Sequence, residues 1–268
     1  MIKNFTLGQY FPSGSVIHKL DPRFKLIEII LSIILVFLAP DFLGLGVLSI
    51  FLLTVMLISK VPVSMYLKNL KPLIIILIFT SLLNIFYVAE GTVVFSWWIF
   101  TITTGGIYKA IFMSLRIVLM ILMSAVLTYT TTPTELTDAI ESLLSPLKFL
   151  GLGEAVHTLA MMMTIALRFI PTLTDETDKI ISAQKARGAD MENGGIFKRL
   201  KALMPILIPL LISSVRRAYE LAEAMECRCY SGGKGRTRMK KLIPSFRDFI
   251  ALFLVLLIST FIILLRIL

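Results

Sequence analysis

The chain has 268 residues, of which 57% are hydrophobic and 16% charged, with a formal net charge of +10. A soluble domain is about half apolar and about a quarter charged, so this composition excludes an ordinary soluble protein and points to one embedded in a membrane. Cytoplasmic loops facing anionic headgroups account for the positive excess, and no nucleic-acid partner is expected.

Residues 1–25 are polar to mixed, with Lys3, Lys19, Arg23 and Lys25, and lack the apolar core and cleavage site of a signal peptide. Apolar runs follow at 24–38 and 42–59, joined through Pro40 and Asp41. Each is near the short end of the roughly 17–25 residues that a spanning helix needs. Lys60, Lys68 and Lys71 precede a third run at 72–88, whose Pro72 suits the first turn of a helix. Residues 93–103 are too short to span as a helix and rich in β-branched and aromatic side chains. They predict an interfacial or re-entrant piece, with Trp97 and Trp98 at headgroup level. A fourth run covers 107–130 and a last one 249–265. Lysine and arginine crowd the segments before the first run and between the second and third, and are missing from the turns after the first and third. By the positive-inside rule the N-terminus and the end of the fourth run are cytoplasmic.

The character changes at Pro133. Residues 134–144 form an amphipathic helix with an acidic first turn, ending by Pro146. Residues 154–190 read as one long helix, apolar up to Phe169 and polar beyond Pro171. Residues 196–230 repeat the plan, with Pro205 and Pro209 in the apolar part. About 35 residues at about 1.5 Å each extend for roughly 50 Å, beyond the roughly 30 Å of hydrocarbon core. The apolar half of each helix can lie in or along the membrane while the charged end projects into the cytoplasm. Pro171, Pro205 and Pro209 are the expected bend points and candidate hinges. The fold expected is all-α: a polytopic membrane protein with about five transmembrane helices and an inserted cytoplasmic unit of amphipathic coupling helices. Its parts are N-terminal membrane helices (1–130), coupling helices (131–241) and a C-terminal transmembrane helix (242–268).

The two long helices end alike. One ending runs from Ile180 through Ala183 to Ala186, Arg187 and Gly188; the other from Leu221 through Ala224 to Cys227, Arg228 and Cys229. In each, an aliphatic residue lies seven places before the arginine and an alanine four places before it. These positions share one helical face. The stripe presents an apolar knob, a small residue that permits close approach, and a planar fork of donors for carboxylates or carbonyls. Two copies suggest two matching receptors. The plainer reading is a pair of solvated helix ends whose cations suit the helix dipole.

Little else suggests chemistry. Glu28 and Arg116 lie near the ends of apolar runs, where snorkelling or mutual pairing accommodates them. His157 reads as a hydrogen-bonded packing residue. Cys227 and Cys229 lack the further ligands of a zinc site, and no metal site is expected. No G-x-x-x-x-G-K-[ST] motif occurs, so no bound nucleotide is expected in this chain. Met161, Met162 and Met163 offer adaptable apolar surface, either for core packing or for a membrane partner.

In its order of elements, and above all in its two arginine endings, the chain resembles the T component of energy-coupling factor transporters. These are importers of vitamins and of cobalt or nickel ions, and the T component is their transmembrane coupling subunit. Ala186, Arg187 and Gly188 match the family's first Ala-Arg-Gly motif. In the second, Cys227 and Cys229 replace Ala and Gly around Arg228, and the helix-ending role of the glycine passes to Gly232 and Gly233. The resemblance implies a non-catalytic scaffold in the plasma membrane of a prokaryote. Two ABC-type ATPase subunits would bind ATP and magnesium and receive one arginine end each. A small membrane S component would bind the substrate and rest on the apolar faces of the coupling helices. Within transport, a dedicated cobalt or nickel module is the alternative to vitamin uptake. Outside it, the alternatives are a polytopic enzyme acting on lipids and a scaffold unconnected with ATPases.

Overall fold

A computed structural model describes residues 10–88, 90–97, 100–188, 196–232 and 242–267. Along them run helices α1 (Pro22–Leu38), α2 (Phe42–Ser59), α3 (Val63–Leu70) and α4 (Ile74–Tyr87), strands β1 (Val93–Trp97) and β2 (Phe100–Thr103), then α5 (Thr104–Thr130), α6 (Pro133–Leu143), α7 (Gly153–Ala186), α8 (Ile196–Glu226) and α9 (Phe246–Ile267). The described residues are divided between two compact units, one within 8–139 and 240–268, the other within 140–239.

In the first unit α5 is the central helix, packed against α1, α2 and α4, while α9 packs on α1. Leu35, Val36, Leu45, Leu48 and Ile262 are among its most deeply buried side chains. Polar contacts gather where α2 and α5 end and where α1 and α9 begin. Asp21 caps α1, its side chain accepting from the Arg23 N–H at 2.9 Å with Pro22 in the first turn. The buried ammonium of Lys25 donates to the Thr130 carbonyl at 3.1 Å and the His18 carbonyl at 3.2 Å. Asp248 is 1% exposed. Its carboxylate accepts from the backbone N–H of Ser245 at 2.5 Å and of Asp21 at 2.8 Å, tying the first turns of α9 and α1 together. Tyr129 donates to the Met65 carbonyl at 3.0 Å and meets Tyr66 edge to face.

Arg116 does not pair with Glu28, contrary to one expectation from the sequence. It donates to the Ala39 carbonyl at 2.8 Å, satisfying an acceptor at the end of α1, and lies 4.6 Å from the centre of the Phe112 ring. Glu28 keeps a buried carboxylate oxygen without a hydrogen-bond partner. The short segment 93–103 is an antiparallel hairpin, with Val93 opposite Thr103 and Trp97 opposite Phe100. Its β-branched residues favour extended backbone. Trp98 lies outside the described residues. The hairpin leads directly into α5, where Thr103 accepts from the Gly106 N–H at 3.1 Å. A Cβ on Gly106 would stand 2.8 Å from the Ile85 carbonyl oxygen, so the close approach there needs glycine.

Five helical stretches among the described residues are long and apolar enough to cross a membrane. The number agrees with the sequence, but the membership differs. Phe42–Ser59, Val63–Tyr87, Thr104–Thr130 and Phe246–Ile267 correspond to expected spans, the second drawing α3 into the same stretch as α4. The fifth is α7, while α1, at 17 residues, lies at the lower limit of the spanning range. The reason is physical. The apolar half of α7 reads as a span by composition alone, whereas α1, begun at Pro22 behind its Asp21 cap and ended at Leu38 before Pro40, is only 17 residues long. The structure is that of an all-α polytopic membrane protein. On α4, Ile75 is 77% and Ile78 61% exposed, the surface that lipid covers in such a protein.

Candidate functional site

In the second unit α7 and α8 run antiparallel. Gln184 near the end of α7 donates to the Pro205 carbonyl near the start of α8 at 3.4 Å. Midway, Glu176 accepts from Ser213 and from Arg217, both at 2.5 Å. Met161 and Ile165 of α7 line a cavity of about 310 Å³ with Leu221, Met225 and Arg228 at the end of α8. The two arginines therefore stand at opposite ends of the pair. The roughly 22 residues of α7 between the level of Ile165 and Arg187 separate them by about 33 Å.

The two ends have the same local structure. Gly188 sits in the left-handed region with φ +82°, and its N–H donates to the Lys185 carbonyl at 3.0 Å. Cys229 occupies the corresponding place with φ +53°, and its N–H donates to the Glu226 carbonyl at 2.8 Å. The Arg187 N–H bonds the Gln184 carbonyl at 3.2 Å as the Arg228 N–H bonds that of Met225 at 3.1 Å. This corrects the reading of the second motif. The chain turns at Cys229 itself, in the position of the first motif's glycine, rather than waiting for Gly232 and Gly233. A non-glycine residue adopts the left-handed conformation at a cost of about 1–2 kcal/mol. Gly232 also has a positive φ, and Gly233 lies outside the described residues.

Ile180 and Leu221 are half-buried, while Ala183, Ala186, Arg187, Gly188, Ala224, Cys227, Arg228 and Cys229 are exposed. Among the described residues neither arginine has an ion-pair partner, so both guanidinium groups are available to another molecule. Cys227 and Cys229 are free thiols.

The methionines divide. Met161 is half-buried and lines the cavity beside Arg228, whereas Met162 and Met163 are 57% and 41% exposed. α7 continues through Pro171, and α8 through Pro205 and Pro209, without interruption. His157 Nδ1 lies 3.2 Å from a Glu141 carboxylate oxygen, the hydrogen bond of a packing histidine. The residues missed by the sequence reading are Glu176, Ser213 and Arg217. A signal existed: Glu176 and Arg217 each precede the arginine of their ending by eleven residues and bear opposite charges.

The fold and these ends define an all-α polytopic membrane protein with a separate helical unit that offers two matched arginine tips. The model of one family, described as cobalt transport protein, CbiQ, matches residues 13–240. The energy-coupling factor transporter transmembrane protein EcfT of Ruminiclostridium cellulolyticum is 52% identical over 242 residues, 90% of each chain. Its namesake in Clostridium kluyveri is 52% identical over 252 residues, 94% of this chain and 93% of the relative. That of Bacillus subtilis is 48% identical over 248 residues, 92% of this chain and 93% of the relative. The chain belongs to this family, as a transmembrane T component of energy-coupling factor transporters.

Proposed function

We propose that this chain couples the motions of two ABC-type ATPase subunits to a small membrane S component that binds the substrate, a vitamin or similar micronutrient. The matched, exposed arginine ends on an antiparallel helix pair are the observation that supports it most. Each guanidinium enters a groove on one ATPase, with Ala183 or Ala224 allowing close approach and Ile180 or Leu221 bracing the stripe from beneath. A separation of about 33 Å suits two receptors rather than one. ATP and magnesium are bound by the ATPases, and this chain supplies no catalytic group. Met162 and Met163, exposed beside apolar residues of α7, contact the S component, and Met161 lies behind them. Pro171, Pro205 and Pro209 act as hinges. Membrane lipids cover the exposed faces of the spanning helices.

Purification of the chain from its own host in mild detergent tests the reading. Two ABC-type ATPase chains, or two copies of one, are expected to copurify with a small hydrophobic protein. Absence of any ATPase would end the proposal. A dedicated cobalt module is the second reading, favoured by the description of the matching family; a copurified S component that binds cobalt rather than a vitamin would select it.

In this reading the protein lies in the plasma membrane of a prokaryote, with its N-terminus and coupling helices in the cytoplasm. The lysines and arginines before α1 and between α2 and α4 support that orientation. The chain's two cysteines, both exposed at the second end, report on it directly. A membrane-impermeant maleimide is expected to leave them unlabelled in intact cells and to label them in the purified chain. Labelling in intact cells would put this end outside.

A further inference from the structure

We infer that the Glu176–Arg217 ion pair, with Ser213, is the pivot that holds the two coupling helices at one crossing point and makes their arginine ends move together. The inference rests on the proposed docking of those ends and adds what joins them.

The helix pair carries an internal symmetry. Superimposing the endings by their arginines places Arg217 on Glu176, just as Leu221 falls on Ile180 and Ala224 on Ala183. In an antiparallel pair related by an approximate two-fold axis, only equivalent positions can meet on that axis. Glu176 and Arg217 are equivalent, and they meet, with Arg217 Nη2 donating to Glu176 Oε2 at 2.5 Å. The pair therefore lies at the centre of the repeat. Each arm from pivot to arginine is eleven residues, or about 16 Å.

Little else fixes the crossing. Helices 34 and 31 residues long would ordinarily bury a continuous apolar seam. Among the described residues, α7 buries only Val156 and Ala160, and α8 buries Ile206. Leu159 on α7 and Leu207, Ile208, Leu211 and Ile212 on α8 are exposed instead. Apolar contacts are non-directional and allow helices to slide or rotate past one another. A carboxylate held by a guanidinium and a hydroxyl is directional, and both charges are partly withdrawn from solvent, Glu176 being 23% and Arg217 34% exposed at the side chain. The interhelical hydrogen bond from Gln184 to the Pro205 carbonyl is longer at 3.4 Å and exposed. One polar point between two weakly packed arms has the mechanical character of a pivot. A displacement of one arginine end rotates its helix about the pair and carries the other end with it.

Glu176 and Arg217 are positioning residues, and the test reads position. In the assembly purified with its ATPases, spin labels replace Ser182 and Glu223, which occupy equivalent exposed places just before the two endings, in a background with Cys227→Ser and Cys229→Ser. The unsubstituted pair is expected to give one narrow distance distribution that shifts as a single peak on addition of the ATP analogue AMP-PNP. Glu176→Gln is expected to broaden the distribution at least about twofold and to abolish the coordinated shift, with the ATPases still copurifying. The exchanged pair, Glu176→Arg with Arg217→Glu, is expected to restore the narrow peak, because the two positions are equivalent about the axis. A distribution unchanged in Glu176→Gln would overturn the pivot and leave the docking reading intact. Loss of the ATPases from both the single and the exchanged variants would also overturn it, assigning the pair to docking. Failure of docking itself is read separately, from Arg187→Ala and Arg228→Ala with the pivot untouched.

Discussion

Replacing Arg187 and Arg228 together by alanine is expected to abolish ATP-driven uptake, whereas each single replacement weakens it. Both side chains are exposed, and among the described residues neither has an ion-pair partner within its own chain, so their removal does not disturb the fold. A charge-assisted contact contributes about 1.5–3 kcal/mol, so each loss lowers docking affinity by roughly 10-fold to 100-fold. The two ends are about 33 Å apart along the helix pair. At such a distance effects add, and the double variant loses about a hundredfold to ten-thousandfold. The measurement is the amount of ATPase copurifying with each variant, alongside its thermal midpoint in detergent. A double variant that retains its ATPases would return the arginines to the role of solvated helix ends. Lysine at the same positions should recover the charge but not the planar fork, and is expected to restore docking only in part.

Asp248→Ala is expected to destabilise the membrane unit by about 2–4 kcal/mol, from the loss of two hydrogen bonds to a charged acceptor, one of them from a buried donor. The carboxylate sits in the third position of α9. There it accepts from the Ser245 N–H, half of a capping box, and its other oxygen takes the Asp21 N–H at the start of α1. Among the described residues no other side chain accepts from that N–H. Lys25 alongside it bonds the carbonyl at the end of α5, so the same corner joins α1, α5 and α9. Thermal unfolding in a single detergent checks this. Asp248→Asn, which retains one acceptor oxygen, is expected to fall between wild type and alanine. A midpoint for Asp248→Ala within about 1 °C of wild type would contradict it, since a change of this size in a chain of such length shifts the midpoint by several degrees. The docking variants should leave that midpoint unchanged, which separates the two predictions.

How far the sequence reached depended on the range of the interaction. Spanning helices are legible because a run of about twenty consecutive apolar residues suits little besides a helix in lipid. The endings are legible because a few residues of one helix present their own face. The hairpin at 93–103 was half legible: its β-branched content argued against a helix, but pairing of Val93 with Thr103 depends on a turn. Arg116 shows the limit more sharply. Its run was correctly read, yet its partner is the Ala39 carbonyl, 77 residues away, rather than a carboxylate. A carbonyl freed by a helix end carries no side-chain signature.

The sequence by itself determined the class of protein, the order of its helices and the two matched arginine ends, since each depends on composition or on a period of a few residues. Tertiary structure decided the rest. It set α7 and α8 antiparallel and placed the arginines at opposite ends. It put Cys229 in the left-handed conformation of Gly188, brought Asp248 to the Asp21 N–H across 227 positions, and closed Glu176 on Arg217 at the centre of the repeat. These contacts depend on which faces pack together, and packing is settled by the whole chain at once, not by any local pattern.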